Sequence, residues 1–166
     1  GQQNSYDSCD FVNNELALFG RVVVANSAII YGTNGIAANT GGTATDYHVT
    51  GCSFESLSGT AIQAGSYSSL KRCSFKHNQG TLVYAWGGSS ESNAIVSLDS
   101  CVFDSNSANI AASGYSSLKL LNSQLTYNST TISLNNFDFA GGTEISACTF
   151  SKNQSPVVIL SGSGSK

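Results

Sequence analysis

The sequence has no methionine, a single proline, a single tryptophan and few charged side chains. This composition excludes several classes of function. Charged residues make up 10% of the 166 residues, far below the usual quarter. With seven Lys or Arg and a net charge of −3, the chain offers no basic surface for nucleic acid or an anionic membrane. No run approaches about eighteen apolar residues, so the sequence predicts no membrane-spanning helix.

The uncharged composition also favours a location outside the cell. Because few side chains carry charge, we expect an outer surface of Ser, Thr, Asn and Gly, which suits an extracellular or cell-wall setting. The chain begins at Gly1 without an initiator Met, which is typical of a processed mature form or an excised segment. The sequence therefore predicts an exported, cell-surface protein that does not insert into the membrane.

All five cysteines lie in one repeated tripeptide, Cys-x-Phe. Cys52, Cys73 and Cys101 are separated by 21 and 28 residues, a period that indicates a solenoid. Two longer intervals each hold a weaker copy, Ala28-Ile29-Ile30 and Ser123-Gln124-Leu125. The five full copies are Cys9-Asp10-Phe11, Cys52-Ser53-Phe54, Cys73-Ser74-Phe75, Cys101-Val102-Phe103 and Cys148-Thr149-Phe150. The predicted repeats begin near residues 9, 28, 52, 73, 101, 123 and 148.

The residues around the tripeptide predict two corners in every repeat. Cys and Phe, two apart on a strand, face the same side and point into the core. Two residues, usually polar, lie between the preceding aliphatic residue and the cysteine, and this pattern predicts a bend. An Asn and a Gly usually follow the Phe and predict a second corner, because both tolerate left-handed backbone angles. The asparagines of this second corner are Asn14, Asn78, Asn106, Asn128 and Asn153.

The full pattern, aliphatic-x-x-Cys-x-Phe-x-x-Asn-x-x-Gly-aliphatic, resembles the coil of right-handed parallel β-helices of the pectin-lyase-like superfamily. Its Phe-x-x-Asn element is similar to the repeats of polymorphic outer-membrane proteins and related surface adhesins. The resemblance implies an all-β, right-handed parallel β-helix of about seven coils. We expect this β-helix to form a single domain over residues 1–166, with a flexible Ser/Gly tail at 161–166. Such motifs specify the fold and say little about chemistry, because one fold hosts many functions.

The cysteines predict neither a disulfide framework nor a metal site. Five is an odd number, and thiols stacked about 4.8 Å apart are farther apart than a disulfide requires. A single column also cannot converge on a metal. We expect free, buried thiols that behave as small hydrophobic groups, and we expect no cofactor. Asn128 and Asn153 stand in Asn-x-Ser/Thr sequons, so each predicts either a glycan or a turn-stabilising amide.

Catalytic residues are not predicted. Glu55, Lys76 and Asp104 occupy equivalent positions of successive repeats, as do Lys71 and Asp99. Alternating signs predict surface ion pairs between neighbouring coils. The alternative is that Asp99 and Asp104 approach the 5–10 Å separation of a glycosidase pair.

The aromatic residues of one repeat suggest a carbohydrate contact. Trp86 and Tyr84 are the best candidates for a sugar-stacking patch, although a role in the core or at a corner is also open.

The ends of the solenoid suggest how the protein assembles. A terminal coil exposes strand edges and core, which must be covered by something. We expect either head-to-tail stacking of identical subunits or flanking repeats of a longer solenoid. The predicted interface consists of Pro156, Val157, Val158, Ile159 and Leu160 at one end, with Phe11, Leu16 and Leu18 at the other.

The sequence therefore favours a non-enzymatic, extracellular structural or adhesive β-helix. A carbohydrate-active enzyme of the pectin-lyase-like group, either a polysaccharide lyase or a glycoside hydrolase, is the alternative. An ice-binding protein is a weaker third hypothesis, since no Thr-x-Thr ladder is in phase.

Overall fold

The computed structural model describes residues 3–37, 46–64, 67–87, 94–114, 116–129, 132–136, 143–154 and 158–160. These residues form 21 β-strands and no helix, so no helix capable of crossing a membrane occurs among them. The strands build three parallel sheets of seven strands each, and every strand pairs with the strand three places later in the chain. The predicted all-β parallel solenoid is confirmed. Its right-handed sense stays a prediction.

Each sheet takes one strand from every turn of the chain. Sheet A consists of β1 (Asn4–Asp7), β4 (Val22–Ala25), β7 (Asp46–Thr50), β10 (Tyr67–Lys71), β13 (Ala94–Asp99), β16 (Ser116–Leu121) and β19 (Glu144–Ser146). Sheet B consists of β2 (Asp10–Val12), β5 (Ala28–Ile30), β8 (Ser53–Glu55), β11 (Ser74–Lys76), β14 (Val102–Asp104), β17 (Gln124–Thr126) and β20 (Thr149–Ser151). Sheet C consists of β3 (Leu16–Phe19), β6 (Asn34–Ala37), β9 (Thr60–Ala64), β12 (Thr81–Gly87), β15 (Asn109–Gly114), β18 (Ile132–Asn136) and β21 (Val158–Leu160). We call the successive triplets coils 1 to 7, from β1–β3 to β19–β21.

The core runs through the centre of the coils and is built from columns of equivalent residues. In sheet B the middle residue of each three-residue strand points inward. Phe54, Phe75 and Phe103 are fully buried there, and their rings stack with centroids 4.8 Å apart and planes within 8° of parallel. Ile29 and Leu125 occupy the same column in coils 2 and 6. The repeated Phe thus fixes the register of neighbouring coils.

Two left-handed residues turn the chain in every coil, one on each side of sheet B. All fourteen have φ between 48° and 64°, a region that most L-residues disfavour by about 1–2 kcal/mol. At the corner before sheet B they are Ser8, Asn26, Gly51, Arg72, Ser100, Asn122 and Ala147. At the corner after sheet B they are Asn13, Tyr31, Ser56, His77, Ser105, Tyr127 and Lys152. We name these the cysteine corner and the asparagine corner, after the residues that follow the turn.

The structure corrects two details of the predicted repeat. The repeat asparagines are not themselves left-handed: the residue before each one turns the chain, and His77 does so for Asn78. In coil 2 the weak copy is shifted by one residue, because Ala28 pairs with Asp10 and with Ser53. Ser27, not Ala28, therefore stands in the cysteine column.

Candidate functional site

The cysteine corner is closed by a hydrogen bond inside each coil. Every cysteine thiol donates to the carbonyl oxygen two residues earlier, as Cys52 does to Thr50 at 3.4 Å. Ser27 and Ser123 take the same place in coils 2 and 6 and donate to the equivalent carbonyl at 2.7 Å. Both serine hydroxyls also accept a backbone N–H, from Cys9 and Cys101 respectively. The other thiol donors are Cys9 (3.3 Å), Cys73 (3.5 Å), Cys101 (3.5 Å) and Cys148 (3.2 Å).

All five cysteines are free, as the single-column hypothesis requires. Cys52, Cys73 and Cys101 are buried, whereas Cys9 and Cys148, in the first and last coils, are half-buried. Burial raises the pKa of the Cys52 thiol. The pKa of Cys73 is raised by its hydrogen bond to Cys101 and by burial. The thiols of Cys52 and Cys73 are therefore protonated and unreactive at neutral pH, whereas the hydrogen bond with Cys73 lowers the pKa of Cys101.

The asparagine corner is closed by hydrogen bonds between coils. The side chain of Asn106 accepts both the backbone N–H and the side-chain amide of Asn78, each at 3.0 Å, through its Oδ1. Its own Nδ2 donates to the carbonyl of Phe75 at 3.0 Å and to Asn128 Oδ1 at 2.9 Å. Asn128 repeats this pattern with Phe103 and Asn153. Asn78, Asn106, Asn128 and Asn153 form one continuous series, which we call the asparagine ladder.

The ladder has a direction and covers only part of the solenoid. Each Oδ1 accepts from the coil before it, beginning with the backbone N–H of Leu57, which donates to Asn78 at 3.0 Å. Gly32 and Leu57 occupy the ladder position in coils 2 and 3, so Asn14 in coil 1 is separated from the rest. Among the residues that the structure describes, Asn14 Nδ2 donates only to the nearby Val12 carbonyl, at 3.3 Å. The sequence placed five asparagines at one corner, and four of them are connected.

Both sequon asparagines belong to this ladder. Asn128 is 1% exposed and its amide nitrogen is fully engaged, whereas Asn153 is half-buried and donates to the Leu125 carbonyl at 2.9 Å. These positions favour the turn-stabilising role of the two alternatives. Glycosylation at either residue stays a prediction.

The charged residues stack as the repeat predicts but do not form the expected Lys–carboxylate pairs. Lys76 is in register with Glu55 and Asp104, and Lys71 with Asp99. Among the described residues, neither lysine has a carboxylate within the 4.0 Å of an ion pair, and Glu55 instead lies 3.7 Å from His77 Nδ1. That part of the prediction is wrong, because hydroxyl and amide groups in adjacent positions satisfy Asp99 and Asp104.

The two aspartates serve as hydrogen-bond acceptors at separate places. Asp99 accepts from Asn122 at 2.9 Å and from Ser100 at 3.1 Å, and these bonds lower the pKa of its carboxyl group. Asp104 accepts from Thr126 at 3.0 Å. Asp99 ends a strand of sheet A and Asp104 ends a strand of sheet B, with the cysteine corner between them. No three His, Cys, Asp or Glu residues cluster to hold a metal in the described ranges.

The predicted sugar-stacking residues share strand β12. Tyr84 is half-buried and pairs with Gln63 and Ala111 in the neighbouring coils. The backbone of Trp86 pairs with Ser113, but its side chain lies outside what the structure describes. Residues two apart on a strand share a face, so the two aromatic positions are on one side of sheet C. Carbohydrate contact there stays a prediction.

The predicted assembly residues lie at the two open edges of the solenoid. β3 is one edge strand of sheet C and β21 is the other. On the first coil Leu16 is 41% exposed, Phe11 is half-buried and Leu18 is 5% exposed. Val158, Ile159 and Leu160 form β21, while Pro156, Val157 and the tail at 161–166 lie outside the described residues. Phe19, 58% exposed on β3, was not predicted, because nothing in the repeat marks it.

Comparisons with known proteins add little to this geometry. The chain matches no protein-family model and no curated protein. It is similar to the solved structure of a trypsin-treated form of QnrB1, a plasmid-mediated fluoroquinolone resistance protein. The similarity has 12% identity and a TM-score of 0.36, and covers 94% of this chain and 91% of that one. At such values the likeness carries no argument about this chain, whose parallel β-solenoid fold is evident from its strand order and register.

Proposed function

We propose that this protein is an extracellular structural and adhesive β-solenoid of the pectin-lyase-like type, whose units stack head to tail. The observation that carries this proposal is the residue content of coil 1. Its Asp7-Ser8-Cys9, Phe11 and Asn14 match Asp99-Ser100-Cys101, Phe103 and Asn106 of coil 5 position by position. An edge coil is thus built from the residues of an internal coil.

The matching residues of the two coils differ in what covers them. Cys101, Phe103 and Asn106 in coil 5 are each at most 1% exposed, because coil 4 lies over them. The equivalent residues of coil 1 are half-buried. Val12 and Phe19 of the same coil are 46% and 58% exposed. Covering this edge would remove apolar area from water at about 25 cal/mol per Å², which favours stacking.

Stacking also satisfies backbone groups that an edge leaves open. Edge strands present unpaired N–H and C=O groups that serve as a template for another chain. Sheets A, B and C all end at β1, β2 and β3 on one side and at β19, β20 and β21 on the other. A parallel ladder that continues from the last coil to the first does not close on itself, so it yields a filament.

The proposed role is non-enzymatic. Asp99 and Asp104 accept hydrogen bonds from serine, threonine and asparagine side chains, and the pKa of Asp99 is lowered. The lowered pKa keeps the Asp99 carboxylate ionised at neutral pH, which disfavours it as the general acid of glycoside cleavage. The enzyme alternative predicts products from pectate or alginate that disappear in Asp104→Ala. The structural role predicts no turnover by the wild type.

Sedimentation velocity over a range of concentrations tests the assembly. We expect the weight-average mass to rise with concentration without a plateau at the dimer, and electron micrographs to show rods of constant width. A soluble species that stays monomeric at every concentration would contradict the proposed stacking. A discrete dimer would replace the filament with a closed assembly.

A further inference from the structure

We propose that the asparagine ladder continues from one subunit to the next, with Asn153 of one copy donating to Asn14 of the following copy. This inference rests on the proposed stacking and specifies its register, its polarity and its partner, which is a second copy of this chain.

The internal ladder shows what each asparagine needs from its neighbours. In the step from coil 4 to coil 5, Asn78 donates through its backbone N–H and its Nδ2 to Asn106 Oδ1. In return Asn106 Nδ2 donates back to the Phe75 carbonyl of coil 4. In every complete step, the earlier coil supplies two N–H donors and one backbone carbonyl. The later coil supplies the oxygen and the nitrogen of one side-chain amide.

The two open edges present these two halves. Asn153 closes the ladder in coil 7, and its backbone N–H has no acceptor in the described part of the chain. Asn14 stands at the same corner of coil 1, and its Oδ1 receives no hydrogen bond from any described residue. Stacking coil 1 of one copy on coil 7 of another would bring Asn14 Oδ1 to the Asn153 donors. Asn14 Nδ2 would then reach the Phe150 carbonyl.

The other columns agree with this register. Cys148 and Cys9 are the two half-buried members of the cysteine column, and Phe150 and Phe11 are the corresponding members of the phenylalanine column. The junction would reproduce, column by column, the step from Cys73, Phe75 and Asn78 to Cys101, Phe103 and Asn106.

Sheet C continues in the same register. Its pairings place Val158 in the column of Ile132 and Ile110, which reaches Leu18 at the other edge. By strand register, Ile159 and the exposed Phe19 stand at the two ends of one row of paired positions.

The ladder's direction selects head-to-tail contact between copies. A head-to-head contact would bring two Asn14 amides together and leave the Asn153 donors and the Phe150 carbonyl unused, and a tail-to-tail contact would bring together two edges that both lack the second amide. Only the contact between opposite edges pairs donors with an acceptor and keeps the strands parallel. An unrelated partner would not be expected to match the cysteine, phenylalanine and asparagine columns at once, so the matching columns favour a second copy.

Asn14→Ala tests the ladder in the full chain. Among the described residues the Asn14 side chain makes only a local bond, so at concentrations where both proteins are monomeric the variant should unfold at the same temperature as the wild type. Its self-association constant from sedimentation equilibrium should fall about tenfold or more, because two donors of Asn153 lose their acceptor. Asn109→Ala is the matched control: Asn109 is half-buried in β15 of a middle coil, away from both edges. We expect its association constant to be unchanged.

Thiol cross-linking tests polarity independently. In the native protein Cys52, Cys73 and Cys101 are buried, so a short bifunctional methanethiosulfonate should reach only Cys9 and Cys148. Head-to-tail contact predicts a regular series of covalent dimers, trimers and longer species in a denaturing gel. Cys9→Ser and Cys148→Ser should each abolish the whole series. Serine already occupies this column in two coils, so both variants should fold.

The outcomes separate the junction from the assembly. If the protein associates but Asn14→Ala associates normally, the ladder does not cross the junction. If Cys148→Ser still gives covalent dimers through Cys9, the contact is head to head and the proposed polarity is wrong. If the wild type is monomeric at all concentrations, the stacking itself fails, and the junction with it.

Discussion

The two corners beside sheet B solve the same backbone problem in different ways. Each contains one left-handed residue per coil and then a side chain that caps the turn. At the cysteine corner the cap bonds to a carbonyl of its own coil, as Cys52 does to Thr50. At the asparagine corner the cap bonds mainly to other coils, as Asn106 does to Phe75 and Asn128. In every coil the first cap closes a turn of its own coil, and it adds a bond to a neighbouring coil in places such as Ser27, which accepts the Cys9 N–H. The second cap acts mainly by coupling neighbouring coils.

This difference explains which substitutions the chain tolerates between its own repeats. The cap within a coil needs only one short donor, so Ser27 and Ser123 can replace cysteine there, and their hydroxyls also accept a backbone N–H from the preceding coil. A ladder member must both donate and accept at fixed positions. Where coils 2 and 3 carry Gly32 and Leu57 instead, the ladder simply stops. Local caps can therefore vary singly, whereas ladder residues vary together.

Breaking the ladder should have the largest effect. Asn106→Ala leaves the Asn78 donors and the Phe75 carbonyl without a partner in a position that is 1% exposed. We expect a loss of about 3 kcal/mol in the free energy of unfolding, since each orphaned buried group costs about 1–3 kcal/mol. Urea unfolding followed by circular dichroism measures it. Asn109→Ala, on the outside of β15, should change the free energy by less than about 0.5 kcal/mol. Equal effects at the two positions would show that the ladder contributes nothing.

High pH should act on the cysteine corner through its buried thiol at Cys52. Burial raises the pKa of Cys52, so the folded thiol stays protonated after the unfolded one, with a pKa of 9.0, has ionised. A raised pKa in the folded state contributes stability below the unfolded value and loses it as pH rises. Above pH 9 this thiol should reduce the free energy of unfolding by about 1.4 kcal/mol per pH unit. Cys52→Ser should show a correspondingly shallower decline. Identical slopes for the two proteins would exclude this titration.

Replacing the side chain that caps the cysteine corner should barely change the free energy of unfolding. At pH 7 Cys52→Ser should change the free energy of unfolding by less than about 1 kcal/mol, because a hydroxyl makes the same bond to the Thr50 carbonyl. Asn106→Ser, the same kind of replacement at the other corner, should be about as harmful as Asn106→Ala. A large loss at Cys52 would mean that the cysteine corner also depends on its neighbouring coils.

The smallest effect is expected from the turning residues, which the two corners share. Ala147 is exposed and has a φ of 52°, so Ala147→Gly removes a disfavoured backbone angle. Since glycine also adds freedom to the unfolded chain, the net gain should be about 0.5 kcal/mol. Ala111→Gly, in strand β15, should instead destabilise by about 0.5–1 kcal/mol. Differential scanning calorimetry of both variants checks the opposite signs.

The sequence predicted the columns in which one residue type recurs. It missed the positions that are equivalent only in backbone conformation. The cysteine and phenylalanine columns were predictable because identical residues recur at one phase. Coil 2 was shifted by one because Ala28-Ile29-Ile30 offers two apolar alignments, and only its strand pairing selects Ser27. The left-handed residues of the asparagine corner share no residue type, since they include Tyr31, Ser56 and Lys152. No residue preference in the sequence therefore marks these positions. The stack above and below imposes that angle.

The charged positions failed for a related reason. Their register followed from the repeat, so Lys76 does stand between Glu55 and Asp104. Which partner a carboxylate takes depends on side chains in adjacent rows, such as Thr126 beside Asp104. Repeat phase alone does not contain that information.

The limited extent of the asparagine ladder also has a mechanical consequence. Under tension along the solenoid axis, a coil must give up its inter-coil backbone hydrogen bonds, and coils 4 to 7 must also give up their asparagine bonds. Coils 1 to 3 have Asn14, Gly32 and Leu57 at this corner, and coil 3 joins the ladder by two bonds, from the Leu57 N–H to Asn78 Oδ1 and from Asn78 Nδ2 to the Phe54 carbonyl. Beyond these, among the described residues, only Asn34 adds asparagine amide bonds to the backbone of neighbouring early coils, at Glu15 and Thr60. A force applied at the two ends should therefore separate coils 1 to 3 before coils 4 to 7. The molecule would behave as a spring with one compliant end and one stiff end.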